Sequence, residues 1–543
     1  MTRTWRATAL AVALGGGVAV SGGLVSGCRV SEIDVHRWEI TERGPFKLVA
    51  VIAHDKYAMP LRVDAGLSLI RMPPRGGQRQ GIKYLVNGYK DEDANERPGA
   101  LMQVGEETRR KIVMGMAPEI IKQISAPPPG RTADGAMQQD PSIPFKDAAF
   151  AMLSHEPPIA GDDATKRSIA DALTQWAQTG FEDRIENATQ QYGMEQMMRY
   201  LGAPSVKALP SLVNENTSRI DRIASLVADI GDPDTKKKLG EAMVTLAKRL
   251  ESPEWVTMET KIVDDHNKKT APNTPVTKEQ VAKQVQTIQD SKFTEQIFPA
   301  MKRVGGKAIS DYLFAYAGDP KANGDRRKLA VAALEGNIDK NNPADADRLF
   351  AIARNDETPD GVRDLVFNRL GELPKEQIVN RLYTDPAFFS PKKWKVRWVA
   401  ASLVLKTSTT KDIPRFMQHL PASPAVKGGM TEGLSYGPLI GAIQPGAGDP
   451  KPRDVIVSYL NAREFGPKMT ALGYFYNGKK ADIPAVKSHE DDPMALPKCD
   501  KEEECGWSYE APKAGGQPGD KETKDLKTVG EFVKYVLIPS MDN

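Results

Sequence analysis

Apolar positions recur at helical spacing on both sides of a break in residues 309–334, ISDYLFAYAGDPKANGDRRKLAVAAL. One apolar stripe precedes the break and another follows it, which predicts two amphipathic helices. Asp319 and Pro320 fit the turn, because Asp accepts a backbone hydrogen bond and Pro cannot continue the first helix. The segment therefore predicts a helical hairpin. Its apolar positions are Tyr312, Leu313, Tyr316, Leu329, Ala330, Ala333 and Leu334.

The second helix of this hairpin carries a register that recurs along the chain. An arginine is followed by a small or branched residue three positions later and by a leucine or valine seven positions later. The arginines at 327, 363 and 397 are separated by 36 and 34 residues, a period typical of helix-pair repeats. Residues 223–250 keep the shape with Lys238 in the arginine position, and Arg167 fits more loosely. The register arginines are Arg62, Arg327, Arg363 and Arg397, and the turn aspartates are Asp55, Asp232, Asp319 and Asp385.

This register resembles that of the HEAT-repeat family. The resemblance is clearest in residues 223–250 and 309–420 and extends to residues 35–72 and 145–176. It implies an all-α protein, an irregular α-solenoid of helical hairpins with loop-rich insertions and a divergent C-terminal portion. It also implies that the Asp and Arg positions cap helix ends and pair between stacked units, and so have architectural roles.

The first 28 residues have the layout of a bacterial export signal. Arg3 and Arg6 precede an uncharged run at residues 7–20 that is too short and too rich in glycine for a membrane span. The following LVSGC resembles the lipobox of bacterial lipoproteins, which implies cleavage before Cys28 and a diacylglycerol anchor on its sulfur. In bacterial lipoproteins, Asp directly after the lipidated cysteine favours retention in the inner membrane. This chain has Arg29 there, which favours the outer membrane, with the protein facing the periplasm; exposure at the cell surface is the open alternative. The alternative is an ordinary secretory signal with an incidental cysteine.

Composition shifts divide the chain into segments. A Pro-rich linker separates two helical parts. After residue 420 the helical spacing of apolar residues is lost and Gly and Pro become frequent, and residues 487–523 are expected to be irregular. An apolar segment at residues 529–538 predicts a closing helix. The predicted segments are 1–27 (lipoprotein signal peptide), 28–125 (N-terminal HEAT-like helices with a glycine-rich insertion), 126–144 (linker), 145–420 (central HEAT-like repeats) and 421–543 (divergent C-terminal region).

Composition and charge narrow the classes of partner. A net charge of +3 over 543 residues is close to neutral and gives no support for nucleic-acid binding. Besides Cys28 the chain has only Cys499 and Cys505, six positions apart. A disulfide fits export to an oxidising compartment, and unpaired thiols or a metal site with nearby His489 or acidic residues are the alternatives.

One catalytic motif occurs in the chain. Residues 433–437 match G-x-S-x-G, with Ser435 in the nucleophile position and Asp449, Asp482 and His489 following in hydrolase order. A nucleophile elbow needs a buried strand before the serine, whereas the preceding AVKGGMTE is short of apolar residues. The sequence therefore predicts a noncatalytic protein without a metal or cofactor. An envelope enzyme or small-ligand-binding protein, with its site in the C-terminal portion, is the alternative.

The strongest basic and aromatic cluster is residues 392–398, KKWKVRW. Trp394 and Trp398 are four positions apart and share a helix face, with Arg397 beside them. Two core tryptophans ringed by solvated lysines are one interpretation, and a docking surface for an acidic partner or a lipid headgroup is the other. With the lipid anchor, the repeats predict a membrane-tethered scaffold that binds other envelope proteins; the identity of the partner and the oligomeric state stay open.

Overall fold

The computed structural model is mostly helical and divides into two compact units, Met1–Ser205 and Val206–Asn543. It describes residues 30–75, 77–91, 93–130, 132, 138–159, 161–187, 189–270, 276–389, 394–424, 429–476, 478–497, 508–515, 517 and 519–542. In these residues, no helix combines the length and the apolar character that crossing a membrane requires.

Helices α3 and α5 lie at the centre of the first unit, where α5 packs against α3, α6 and α7. Two short strands, β1 (Tyr89–Lys90) and β2 (Glu96–Arg97), pair antiparallel, with Tyr89 opposite Arg97. A π-helical turn, Lys83–Asn87, precedes them, and 3₁₀ turns occupy Ala100–Met102 and Ala203–Val206. The α-helices are α1 (Glu32–Trp38), α2 (Gly44–Ala53), α3 (Met59–Arg71), α4 (Gln80–Ile82), α5 (Glu106–Ile124), α6 (Ile143–Ser154), α7 (Asp163–Gln178), α8 (Phe181–Ile185) and α9 (Met194–Leu201).

The second unit is built largely from helical hairpins. Its α-helices are α10 (Ile220–Ile230), α11 (Pro233–Leu250), α12 (Pro253–Thr270), α13 (Lys278–Ser291), α14 (Phe298–Val304), α15 (Lys307–Gly318), α16 (Gly324–Ala333), α17 (Pro343–Arg354), α18 (Asp360–Leu370), α19 (Lys375–Thr384), α20 (Trp394–Thr407), α21 (Ile413–Met417), α22 (Gly429–Gly441), α23 (Pro452–Ile456), α24 (Phe465–Phe475), α25 (Ile483–Lys487), α26 (Val529–Phe532) and α27 (Ile538–Asp542). Its 3₁₀ turns are Leu209–Leu212, Thr410–Asp412, Val457–Asn461 and Lys480–Asp482, and its π-helical turns are Lys292–Ile297 and Val533–Leu537.

The hairpin predicted for residues 309–334 is present as α15 and α16. Its turn has the predicted chemistry, since the Asp319 carboxylate accepts a hydrogen bond from the Lys321 backbone N–H at 2.9 Å. Asn323 then begins α16 by accepting hydrogen bonds from the backbone N–H groups of Asp325 and Arg326. Local side-chain hydrogen bonds therefore define both the end of the first helix and the start of the second.

Successive hairpins stack in two rows between residues 307 and 407. The first helices α15, α17 and α19 pack one against the next. The second helices α16, α18 and α20 do the same, and that row continues through α22 to α24. Within this row, α18 and α20 each lie between two other second helices, and each also packs against the first helix of its own hairpin.

The C-terminal segment differs in part from the prediction. Where the sequence predicts a closing helix, α26, the π-helical turn Val533–Leu537 and α27 form a continuous helical run that packs on α24 and α25. Residues 487–523 are not uniformly irregular, because β3 (Ser508–Pro512) pairs antiparallel with β4 (Lys521–Asp525). Ser508 lies opposite Asp525 and Pro512 opposite Lys521. Both strands are largely exposed, so they lacked the apolar alternation that predicts a half-buried strand.

Candidate partner-binding site

Three of the register arginines make the same buried hydrogen bond. In each case Nε donates to the backbone carbonyl of the residue ten positions earlier, at the end of the preceding helix. The bonds are Arg62 to Ile52 at 2.9 Å, Arg327 to Ala317 at 2.9 Å and Arg363 to Ala353 at 3.0 Å. None of the three side chains is more than 6% exposed. Each arginine therefore satisfies a carbonyl that the end of an α-helix leaves without an intrahelical partner.

The remaining register positions vary in what they contact. Asp232 begins α11, where it accepts a hydrogen bond from the Thr235 backbone N–H at 2.7 Å. Asp385 accepts one from the Ala387 backbone N–H at 3.0 Å. Asp55 is exposed in the turn after α2, and Arg167 is exposed and donates to the Asp163 carbonyl four positions earlier, within its own helix.

The structure corrects the expectation that Arg397 contacts a partner. Arg397 and Glu432 are each 1% exposed, and Arg397 Nε lies 2.9 Å from Glu432 Oε1 and 3.0 Å from Oε2. Tyr436 completes the group by donating its hydroxyl to Glu432 Oε1 at 2.5 Å. Burial and the neighbouring carboxylate raise the pKa of Tyr436, which keeps the phenol protonated as a donor. Arg397 thus joins α20 to α22 beneath the surface.

The two tryptophans of the same cluster do reach the surface. Trp398 is 39% exposed and Trp394 is half-buried. Together with Lys395 they border a pocket of about 440 Å³ whose other walls come from α18 and α22. The pocket therefore lies on the row of second helices, and its volume is in the range of small-ligand and side-chain pockets.

The α18 wall of this pocket is acidic. Asp360 is bound by Arg363 at 2.9 Å and approached by Lys395 at 3.7 Å, whereas the exposed Asp364 makes no ion pair with another described residue. The pocket wall covers part of the Asp364 carboxyl, and this loss of hydration, together with the negative charge of Asp360, raises its pKa. Sequence reasoning missed these two carboxylates, although their positions beside the register residue Arg363 place them on the same helix.

Ser435 also lines this pocket, but its surroundings are those of a helix interior. It lies inside α22 and donates its hydroxyl to the Thr431 carbonyl four positions earlier, a common arrangement for a helical serine. The candidate acids pair with other cations: Asp449 with Lys411 at 2.6 Å and Asp482 with Arg453 at 2.7 Å. In the described residues around it, Ser435 follows six helical residues of α22 and does not occupy the strand–turn–helix elbow that the motif requires.

His489, the candidate base, lies beside a different ion pair. The Lys468 ammonium pairs with the Asp492 carboxylate, and burial together with the Lys468 charge lowers the pKa of His489. Within the described ranges no cluster of three or more His, Cys, Asp or Glu side chains is placed to hold a metal ion.

The glycines of the same motif have a packing role. A Cβ atom on Gly437 would lie 2.1 Å from the carbonyl carbon of Gly473, and one on Gly433 would lie 2.7 Å from Met469 Cβ. Both contacts are with α24, against which α22 packs. The two glycines allow the backbones of these helices to approach closely, which explains their four-residue spacing, about one helical turn.

Three predicted residues lie outside the part of the chain that the structure describes: Cys28, Cys499 and Cys505. The lipid anchor and the state of the two C-terminal thiols therefore stay predictions. Comparison of the sequence with known protein families and with curated proteins gives no match to either.

Proposed function

We propose that this chain is a bacterial lipoprotein, anchored through Cys28, whose second unit is a HEAT-type solenoid that binds an envelope protein. The anchor is supported by the lipobox-like LVSGC sequence. The solenoid is supported by the stacked second helices and by the hydrogen bond that Arg327 and Arg363 share. In such an array the open faces of successive second helices form an extended surface suited to a protein partner.

The observation that carries the binding proposal is the exposure of Trp398 at the rim of a pocket on this row. Aromatic side chains in such positions supply a large share of binding energy at protein interfaces. The buried Arg397–Glu432 pair fixes the position of α20, the helix that carries Trp398. Less conformational entropy is therefore lost when a partner binds.

The chemistry of the pocket also indicates what part of a partner it takes. An apolar side chain would contact the indoles of Trp394 and Trp398, and a neighbouring lysine or arginine would approach Asp364. The acidic partner suggested by the sequence depended on Lys392, Lys393 and Lys395. Of these, the first two lie outside the described residues and the third lies near Asp360.

Affinity purification from detergent-solubilised, cross-linked envelopes tests this proposal. Wild-type protein and the Ile262→Ala control, altered at an apolar residue of α12 that is 52% exposed, are expected to capture the same protein. Trp398→Ala is expected to lose most of it while keeping its stability, because the indole is already partly solvated. A reproducible partner that is captured equally by Trp398→Ala would contradict the site, and no reproducible partner would contradict the scaffold.

A Cys28→Ser variant tests the anchor separately. Without the sulfur no diacylglycerol can be attached, so the protein is expected to leave the membrane fraction. Retention in that fraction would show that lipid on Cys28 does not hold the protein there.

A further inference from the structure

The first unit contains a polar pocket of about 400 Å³, and the described residues that line it include two cations and no carboxylate. Arg79 and Lys83 supply the positive charge. Amide side chains make up most of the remaining polar wall, and these include Gln78, Gln80, Asn87 and Gln191. Amides donate and accept hydrogen bonds, so such a wall suits a hydroxyl-rich ligand, and the cations suit an anionic one.

Arg79 is buried without a hydrogen-bond partner for its Nε atom. Its side chain is 6% exposed, and the nearest carboxylate oxygen, Asp147 Oδ2, is 3.5 Å from Nε. Buried guanidinium groups are normally hydrogen-bonded, because an unmet donor loses its hydration without replacement. Arg79 therefore has donor capacity that the described part of the chain does not use.

The carboxylate of Asp147 is already occupied by other donors. Lys146 Nζ lies 2.6 Å from Oδ1, and the backbone N–H groups of Gln191 and Tyr192 donate to the two oxygens at 2.9 and 3.2 Å. Lys146 and Asp147 are each fully buried. Two cations, Arg79 and Lys146, thus share one carboxylate, and burial lowers the pKa of both.

Arg79 and Lys146 together carry one more positive charge than Asp147 can balance, and the neighbouring buried charges do not compensate for it. Arg184 Nε lies 3.0 Å from Asp140 Oδ2, and that pair is balanced within itself. Among the described residues, the buried group behind the pocket therefore contains three cations, Arg79, Lys146 and Arg184, and two carboxylates, Asp140 and Asp147. Unmatched positive charge in a poorly hydrated site is stabilised by an anion placed beside it.

Lys83 adds a second cation from the open side of the pocket. It begins the π-helical turn Lys83–Asn87 and makes no ion pair with any carboxylate in the described ranges. Asn87, at the other end of the turn, donates to the Tyr192 hydroxyl at 2.8 Å and so links the turn to the segment that carries Gln191. π-Helical turns interrupt regular helix geometry and often occur at functional sites.

We propose that this pocket binds the carboxylate or phosphate group of a small, hydroxyl-rich molecule. Arg79 and Lys83 contact the anion, and the amide side chains contact the hydroxyl groups. This site is independent of the partner-binding surface of the second unit.

Calorimetric titration of the full-length chain in detergent at low ionic strength tests the proposal. The probes are inorganic phosphate, acetate, glucuronate and, as a neutral comparison, glucose. We expect saturable binding of at least one anion at millimolar or lower concentration, and none of glucose. Preference for phosphate or for the two carboxylates identifies the anionic group. Failure of every anion to saturate the protein would overturn the proposal.

Variants place the binding at this pocket. Lys83→Gln removes an exposed charge and is expected to weaken binding at least tenfold, whereas Lys122→Gln, at a lysine on α5 that is 74% exposed, is expected to leave it unchanged. Arg79→Met is expected to abolish binding, with circular dichroism reporting whether it folds. If Arg79→Met does not fold, Lys83→Gln decides the matter. Equal affinity of Lys83→Gln and Lys122→Gln would place the anion elsewhere and overturn the proposal.

Discussion

Arg397 and Glu432, 35 residues apart in the chain, form an ion pair between α20 and α22 in which each side chain is 1% exposed. The Arg397 Nε atom is within 3.0 Å of both carboxylate oxygens. Tyr436 donates a further hydrogen bond to the same carboxylate. The pair therefore joins two successive helices of the row that carries Trp398.

Glu432→Leu is expected to lower the free energy of unfolding by about 3–5 kcal/mol, because it leaves the Arg397 charge buried without its counterion. Urea denaturation followed by tryptophan fluorescence measures the loss. The double variant Arg397→Met/Glu432→Leu removes both charges and is expected to recover most of it. A single variant as stable as wild type would contradict the structural role of this pair.

Two buried tyrosines provide a matched test of hydrogen bonding. Tyr436→Phe loses a hydrogen bond to a charged group and is expected to cost about 1.5–3 kcal/mol of unfolding free energy. Tyr312→Phe removes a buried hydroxyl that has no hydrogen-bond partner in the described structure, so stability is expected to stay constant or to rise. The same urea titrations compare the two, and a larger loss for Tyr312→Phe would contradict the assigned partners.

The shared arginine contact can be tested at Arg327, which is 1% exposed. Arg327→Met keeps the apolar volume but leaves the Ala317 carbonyl without its donor, so we expect a loss of about 1.5–3 kcal/mol in unfolding free energy. Arg354→Met is the control, since Arg354 is 51% exposed and its ion pair with Asp385, at 3.6 Å, is expected to contribute about 0–1 kcal/mol. Equal losses would contradict a stabilising role for the buried Arg327–Ala317 hydrogen bond.

Gly437→Ala is expected to destabilise the protein, although the same change inside an exposed helix usually stabilises it by about 1 kcal/mol. The reason is the 2.1 Å separation between the new Cβ and the Gly473 carbonyl carbon, which forces α22 and α24 apart. Gly324→Ala in α16 is the control, because its Cβ would meet no atom within 4 Å. Thermal unfolding measures both, and a stabilised Gly437→Ala variant would contradict the close approach of the helices.

The hairpins could be predicted because their signal is local. Apolar spacing, the Asp-Pro turn and the arginine all fall within one segment such as residues 309–334. The Nε-to-carbonyl contact spans only ten positions, so the register that predicted the helices also fixed the position of Arg327 and Arg363. The exposed strands β3 and β4 gave no comparable signal, because their charged residues lie in no apolar alternation.

The burial of charged residues could not be predicted, because it depends on distant partners. In the sequence Arg397 is one of several cations in a basic cluster. In the fold, α22 places Glu432 beside it. Lys146 and Asp147 are adjacent in sequence and resemble a solvated pair, yet both are fully buried against the segment that contains Gln191 and Tyr192. Neither arrangement leaves a local pattern, so only the fold reveals them.

The close crossing of α22 and α24 has a consequence for how sequence motifs are interpreted. Gly433 and Gly437 are separated by one turn of helix, and both face a neighbouring backbone. A helix that packs this closely against another favours a small residue at each end of that turn. When both are glycines and a serine lies midway between them, the sequence matches the hydrolase motif G-x-S-x-G. In chains of stacked helices, the serine hydrolase motif can therefore match a site of tight helix contact. Apolar residues at helical spacing around the serine distinguish such a contact from a catalytic motif.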